Sequence, residues 1–106
     1  MILYIDFDHT IHDNNNIPEG RKMGPPLPNA VWALQNLYEL GHEIVIFTVR
    51  ATDERSIKVV SDWLAYFKVP FTRITNIKGP ADFYIDDKAL RFTGDWTKTV
   101  ETVVAL

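Results

Sequence analysis

The sequence contains no cysteine. This absence excludes disulfides, thiolate nucleophiles and cysteine-ligated metals, and it is compatible with a reducing cytoplasm. Positive charge is also in short supply: 11 lysine and arginine residues stand against 14 aspartate and glutamate residues, which gives a formal charge of -3. Such a chain has no overall positive field with which to hold a polyanion by its phosphates. A nucleic-acid end remains open as a substrate.

Long apolar runs are missing as well. None approaches the roughly 20 residues that a membrane-spanning helix needs, and the start, MILYIDFD, is too short and too acidic for a signal peptide. We therefore expect a cytoplasmic protein without a membrane partner. The 106 residues, 46% of them hydrophobic, suit one domain over 1–106 and leave no room for two.

Short apolar runs bounded by turn residues predict three strands, at 2–7, 43–48 and 81–85. Their hydrophobicity is nearly continuous, which is typical of parallel strands that are covered on both faces. Two weaker strand candidates lie at 72–74 and 90–92.

Helical periodicity predicts three helices, at 28–40, 53–67 and 95–105. The first has prolines ahead of it and Gly41 just past it, as helix ends often do. Strands and helices thus alternate along most of the chain. This order predicts an α/β fold of the Rossmann-like kind, an open, mostly parallel sheet with helices on both faces.

The segment 11–26 interrupts the alternation. It carries three consecutive asparagines, two glycines and three prolines. These residues favour turns, so we predict a loop or flap directly behind the first strand.

Polar side chains gather where the predicted strands end. In open α/β sheets, ligands bind outside the carboxyl ends of the strands. Two aspartates one residue apart raise each other's pKa unless a cation, a hydrogen-bond donor or a reaction compensates for them. The candidate site residues, in chain order, are Asp6, Asp8, His9, Thr48, Arg50, Lys78, Asp86 and Asp87.

This ordered set resembles the haloacid dehalogenase superfamily. Its four motifs are matched by DFDHT at 6–10, FT at 47–48, the single Lys78, and IDD at 85–87. The resemblance spans residues 2–87 and implies a Mg²⁺-dependent phosphomonoester hydrolase that works through an aspartyl-phosphate. No stretch between the motifs is long enough for a separate cap domain, so the chain resembles a small cap-less phosphatase.

By this resemblance, Asp6 is the catalytic nucleophile. Asp8 would protonate the leaving group and then deprotonate the attacking water. Thr48 would donate a hydrogen bond to the phosphate, and Lys78 would add a positive charge that also steadies Asp6.

The resemblance also implies a metal site. Mg²⁺ prefers oxygen ligands and usually keeps several waters. The ion would be held by the Asp6 side chain, the Asp8 backbone carbonyl and Asp86, while Asp87 would bind it or orient a metal-bound water.

Several roles stay open. Arg50 is either a second contact to the phosphate or leaving group, or a surface partner of Asp53 or Glu54. His9 stands where the family often has glycine, and it either lines the leaving-group pocket or points to solvent. Lys88 competes with Lys78 for the role of catalytic lysine.

The substrate is open too. A small phosphoester and a nucleic-acid end fit equally well, and His12 with the loop 11–26 could influence the choice. Whether a homo-oligomer closes over the site is also undetermined. Two other functions are a receiver-type phosphoacceptor, whose motif order fits poorly, and an inactive phosphate-binding regulatory module.

Overall fold

The computed structural model describes residues 1–105 and shows a four-stranded, all-parallel sheet with three helices. The strands are β1 (Ile2–Asp6), β2 (Glu43–Phe47), β3 (Arg73–Thr75) and β4 (Phe83–Ile85), in the spatial order β3-β2-β1-β4. The helices are α1 (Ala30–Glu39), α2 (Glu54–Tyr66) and α3 (Trp96–Val104). The predicted α/β class is confirmed.

The two weaker strand predictions have different outcomes. The candidate at 72–74 is β3, displaced by one residue, and it pairs with β2. The candidate at 90–92 is wrong, because that run is irregular in structure and half exposed. It has apolar side chains but no neighbouring strand with which to pair.

The core lies between the sheet and the first two helices. Parallel register places Leu3 beside Ile44 and Ile5 beside Ile46, so these side chains share one face. They belong to one buried cluster with Leu34 of α1 and with Val60, Trp63 and Leu64 of α2. The packing of α1 and α2 against one face explains the apolar side chains on that face of β1 and β2.

The opposite face has a different cover. Tyr4 is 2% exposed there, next to Gly79 of the segment that joins β3 to β4. No residue of α3 is buried. The sequence predicts helices packed on both faces of the sheet. Among the described residues, buried helical side chains are found on the face that α1 and α2 cover. In residues 1–105, no helix has the length and hydropathy needed to cross a bilayer.

The register also brings the two acidic motifs together. Ile5 of the central strand β1 pairs with Ile46 on one side and with Ile85 on the other. The residues that follow, Asp6 and Asp86, therefore end neighbouring parallel strands at the same edge of the sheet. The pairing of β1 with β4 thus brings together two aspartates that are far apart in the sequence.

The segment 11–26, here called the strap, is the predicted loop, and its two ends are held in place by hydrogen bonds. The Asp13 amide donates to the Pro25 carbonyl at 2.8 Å, and the Trp63 indole of α2 donates to the Gly24 carbonyl at 2.9 Å. A Cβ at Gly24 would collide with the Asp13 carbonyl oxygen. Glycine is required where the two sides of the strap meet.

Candidate functional site

Three carboxylates meet at the carboxyl edge of the sheet. Asp6, Asp86 and Asp87 each offer an oxygen, and these oxygens lie within 4.8 Å of one another. We call this group the acidic cluster. Within residues 1–105, no lysine, arginine or histidine forms an ion pair with it. Its negative charge is thus left to be balanced by something other than the described side chains.

The electrostatics of Asp6 reflect this crowding. Burial raises its pKa to about 6, helped by the charge of Asp86 and a hydrogen bond with Asp87. A carboxyl group in this state takes up a cation in place of a proton when one is available. Carboxylate oxygens that form no ion pair with a side chain are the kind of ligand that Mg²⁺ uses in proteins. The donor set of the acidic cluster therefore fits this ion.

Asp8 contributes to the same edge in a different way. Its carboxylate does not belong to the acidic cluster. Its backbone carbonyl accepts no hydrogen bond in the part of the chain that the structure describes. The carbonyl oxygen is therefore available for the metal-ligand role that the family resemblance gives it.

The Asp8 carboxylate is clamped by two partners. Arg50 donates from Nε to Oδ2 at 2.7 Å and from Nη2 to Oδ1 at 3.0 Å, and His12 Nδ1 contacts Oδ1 at 2.8 Å. Burial raises the pKa of Asp8, but the hydrogen bonds from Arg50 and His12 outweigh it, and the net shift is downward. The clamp therefore holds Asp8 as a fixed, charged carboxylate at neutral pH.

The position of Arg50 excludes the surface pair that was one of the two sequence-based alternatives. It pairs with neither Asp53 nor Glu54. Asp53 instead caps α2, with its carboxylate accepting from the Ser56 amide at 2.8 Å. Arg50 is directed to the site because a planar guanidinium matches a carboxylate in two parallel hydrogen bonds.

His9 occupies a backbone conformation that glycine prefers. Its φ is +67°, and a tight turn imposes this value. The amides of Ile11 and His12 both donate to the Phe7 carbonyl at 2.9 Å, and the His9 amide donates to the His12 carbonyl at 2.8 Å. The His9 side chain makes no hydrogen bond among the described residues, and its role stays open.

We expect His9→Gly to stabilise the fold. Removing the Cβ relieves the left-handed strain, and the entropy of glycine offsets part of the gain, so the free energy of unfolding should rise by up to about 1 kcal/mol. Urea unfolding measures it. Asn29→Gly is the matched control, since Asn29 has φ +66° but asparagine tolerates this region better. A less stable His9→Gly protein would show that the histidine side chain supports the turn.

Two further predicted site residues, Thr48 and Lys78, differ in burial and in their contacts. Thr48 is 2% exposed at the end of β2, and its hydroxyl oxygen accepts from the Arg50 amide at 3.1 Å. Its hydroxyl proton donates to no described acceptor. Lys78 is exposed, with its ammonium 5.7 Å from the Phe47 ring centre and 5.3 Å from that of Tyr84. The expected pairing of Lys78 with Asp6 is not formed, because the two rings hold the ammonium.

Lys88, the alternative candidate for the catalytic lysine, forms no ion pair with Asp6 either. Its backbone amide donates to the Asp86 carboxylate at 2.8 Å, which fixes the turn after β4. Its ammonium makes no ion pair among the described side chains. The structure thus brings the carboxylates together and leaves both lysines apart from them.

Comparison with known proteins supports the fold. No family model matches this chain, and no curated protein matches it significantly. A solved structure does. The conserved protein coded by a locus from Bacteroides thetaiotaomicron is similar with a TM-score of 0.67 over 99% of this chain and 90% of that one. At 22% identity, this likeness shows the architecture and nothing about the chemistry.

The sequence marked His12 only as a possible influence on substrate choice, and its contact with Asp8 was not recognisable. His12 lies in the polar strap, where a solvated histidine is the default expectation, yet it is completely buried against the Asp8 carboxylate. Its spacing of four residues from Asp8 carries no signal, because the chain between them is a turn and not a helix. The burial depends on Trp63, which is remote in sequence.

Proposed function

We propose that this chain is a cytoplasmic, Mg²⁺-dependent phosphomonoester hydrolase that forms an aspartyl-phosphate on Asp6. The acidic cluster is the observation that carries the proposal. Three like charges within 4.8 Å destabilise a fold unless a ligand uses them. Their position at the carboxyl edge of a parallel sheet is where α/β proteins bind ligands. The order of the motifs, which resembles that of the haloacid dehalogenase superfamily, also supports a phosphomonoester hydrolase.

The metal site would be built from four groups. The side chains of Asp6, Asp86 and Asp87 and the backbone carbonyl of Asp8 would hold the ion. Mg²⁺ supplies the positive charge that lets an anionic carboxylate approach an anionic phosphate and that stabilises charge on the phosphoryl oxygens.

The chain's own residues would carry out two displacements. In the first, an Asp6 oxygen attacks phosphorus and the bond to the leaving oxygen breaks, while Asp8, having taken up a proton from solvent, gives that proton to the leaving oxygen. In the second, water attacks the same phosphorus while Asp8 takes its proton, and the bond to Asp6 breaks. Inorganic phosphate leaves, the Asp6 carboxylate is regenerated, and Asp8 holds a proton that it can give to the next leaving group. Thr48 would donate its free hydroxyl proton to a phosphoryl oxygen.

The clamp on Asp8 constrains the first step. A charged carboxylate that accepts three hydrogen bonds suits the water-activating step and has to lose a donor before it can carry a proton. Arg50 is the donor that can leave, because its side chain is 31% exposed whereas that of His12 is fully buried. An incoming phosphate competes for the guanidinium with the same bidentate geometry. Arg50 would thus exchange Asp8 for the substrate.

A regulatory phosphate-binding module is the second candidate. The clamp on Asp8 and the separation of Lys78 from Asp6 favour it, since both arrangements are poorly suited to turnover. Either function would use the same class of ligand, a small phosphoester or a phosphorylated nucleic-acid end.

A single assay separates these functions. We expect the protein to hydrolyse p-nitrophenyl phosphate with Mg²⁺ and to lose this activity with EDTA. Beryllium fluoride with Mg²⁺ should inhibit, because it mimics an acyl phosphate, while fluoride alone at the same concentration is the control. Hydrolysis that survives EDTA would contradict the proposal, and the absence of any Mg²⁺-dependent hydrolysis would favour the regulatory module.

A further inference from the structure

We infer that His12 is a positioning residue that aims one oxygen of the Asp8 carboxylate and anchors it, through Gly24, to Trp63 of α2. The inference rests on the proposed function, because Asp8 is the group that moves protons in it. It assigns a role to a residue that the family motifs do not contain.

The imidazole of His12 packs against two aromatic rings. Its ring stacks on Phe7 with centroids 5.1 Å apart and planes inclined by 8°, and the Trp63 ring meets it edge-on at 5.4 Å. The side chain has no solvent exposure. Packing therefore fixes the plane of the ring, and hydrogen bonds at its two nitrogens fix its orientation within that plane.

The hydrogen bonds of His12 assign the tautomer. The Gly24 amide donates to Nε2 at 2.8 Å, so Nε2 carries no proton. The proton resides on Nδ1, which donates to Asp8 Oδ1 at 2.8 Å. Gly24 is fixed in turn by the Trp63 indole, which donates to its carbonyl at 2.9 Å. Every buried side-chain nitrogen and oxygen in residues 1–105 has a partner, so this chain of contacts is complete.

The contacts distinguish the two oxygens of Asp8. Oδ1 accepts from both His12 and Arg50, whereas Oδ2 accepts from Arg50 only. When a phosphate draws Arg50 away, Oδ1 keeps the His12 hydrogen bond and Oδ2 is released. Oδ2 is then the atom that exchanges a proton with the leaving oxygen or with water. His12 decides which oxygen is free and where it points.

Two variants of His12 separate its two hydrogen bonds. In His12→Asn, the amide nitrogen can take the place of Nδ1 and donate to Asp8. In His12→Gln, the amide oxygen can take the place of Nε2 and accept from Gly24, but no donor faces Asp8. Both variants leave a similar void beside Phe7 and Trp63, so they are matched for lost packing.

The readout is kcat/KM on two substrates that differ in leaving group. p-Nitrophenolate leaves without a proton, whereas the alkoxide of ethyl phosphate requires one. For His12→Gln, we expect kcat/KM on ethyl phosphate to fall by about 10²-fold or more, the usual contribution of a general acid, and that on p-nitrophenyl phosphate to fall much less. His12→Asn should keep most of the ethyl phosphate activity. Equal losses on both substrates in both variants would reduce His12 to a structural residue and overturn the inference.

Further measurements keep the test decisive. If His12→Gln does not fold by circular dichroism, Trp63→Phe replaces it: the ring against His12 is retained, the indole donor to Gly24 is lost, and the same substrate bias should appear at several-fold. In wild-type protein, long-range ¹H–¹⁵N correlation spectra should place the His12 proton on Nδ1. A proton on Nε2 would overturn the inference directly. Wild-type protein without Mg²⁺-dependent hydrolysis would instead refute the proposed function itself.

Discussion

Replacing Asp6 with asparagine is expected to abolish turnover. The amide oxygen is a far weaker nucleophile than the carboxylate, and no other described carboxylate is both at the end of β1 and free of a clamp. Loss of a catalytic nucleophile lowers kcat by at least about 10³-fold in well-studied hydrolases. Steady-state hydrolysis of p-nitrophenyl phosphate with Mg²⁺ measures the effect. Asp62→Asn, which changes an exposed carboxylate on α2 paired with Lys58, is the control and should stay fully active.

The same substitution should stabilise the metal-free protein. The pKa of Asp6 is raised to about 6 in the folded state, so the folded chain binds this proton more tightly than the unfolded chain does. The resulting stability is present below the unfolded pKa, near 4, and is lost as the pH rises through about 6. At pH 7.5 with EDTA, Asp6→Asn removes that loss and should unfold at higher urea concentration than wild type. An Asp6→Asn protein that is less stable than wild type at this pH would contradict the electrostatic account of the acidic cluster.

Mg²⁺ should raise the thermal stability of the wild-type protein, and it should do so more at pH 7.5 than at pH 5. At pH 5, a proton competes with the ion for Asp6, whereas above pH 6 the carboxylate is free to bind it. At about ten times the dissociation constant, the ion adds about 1.4 kcal/mol, which shifts the Tm of a chain of this size by roughly 5–10 °C.

Differential scanning calorimetry at the two pH values, with Mg²⁺ or EDTA, measures the effect. Asp6→Asn should lose most of the Mg²⁺ response. The pKa of Asp8 is lowered, so its contribution to stability is lost only as the pH falls below its unfolded pKa, outside this range. An equal Tm shift at pH 5 and pH 7.5 would show that the ion binds elsewhere.

The backbone part of the site was predictable from the sequence. Apolar runs that end in Asp6 and in Asp86 mark two strands, and parallel topology places the carboxyl ends of such strands at one edge of the sheet. The acidic cluster follows from these two facts alone. No side-chain rotamer has to be known in advance, because an aspartate is short and its carboxylate stays near its own strand.

The same reasoning could not predict the positions of the long side chains. The guanidinium of Arg50 and the ammonium of Lys78 can each reach several partners, and tertiary packing decides among them. Arg50 is drawn to Asp8 because that carboxylate is partly buried and charged. Lys78 rests on the rings of Phe47 and Tyr84, which become neighbours only after the sheet forms.

The strap and the end of the chain show the same limit. The turn residues of 11–26 predicted a loop correctly, but the hydrogen bond from Trp63 that fixes it comes from a helix about forty residues away. The run 90–92 has the composition of a strand and no partner strand. Pairing partners, like burial, are properties of the folded chain that local composition does not encode.

A covalent bond between phosphorus and Asp6 is the central feature of the proposed function, and the Asp8→Asn variant allows it to be detected. This variant lacks the group that activates water, so the phosphorylated form should accumulate when it is mixed with p-nitrophenyl phosphate and Mg²⁺, quenched, and reduced with borohydride. Mass spectrometry of the digest should then find position 6 converted to homoserine, and no conversion without Mg²⁺. Homoserine at another aspartate, or an unmodified Asp6 under conditions of active turnover, would contradict the account.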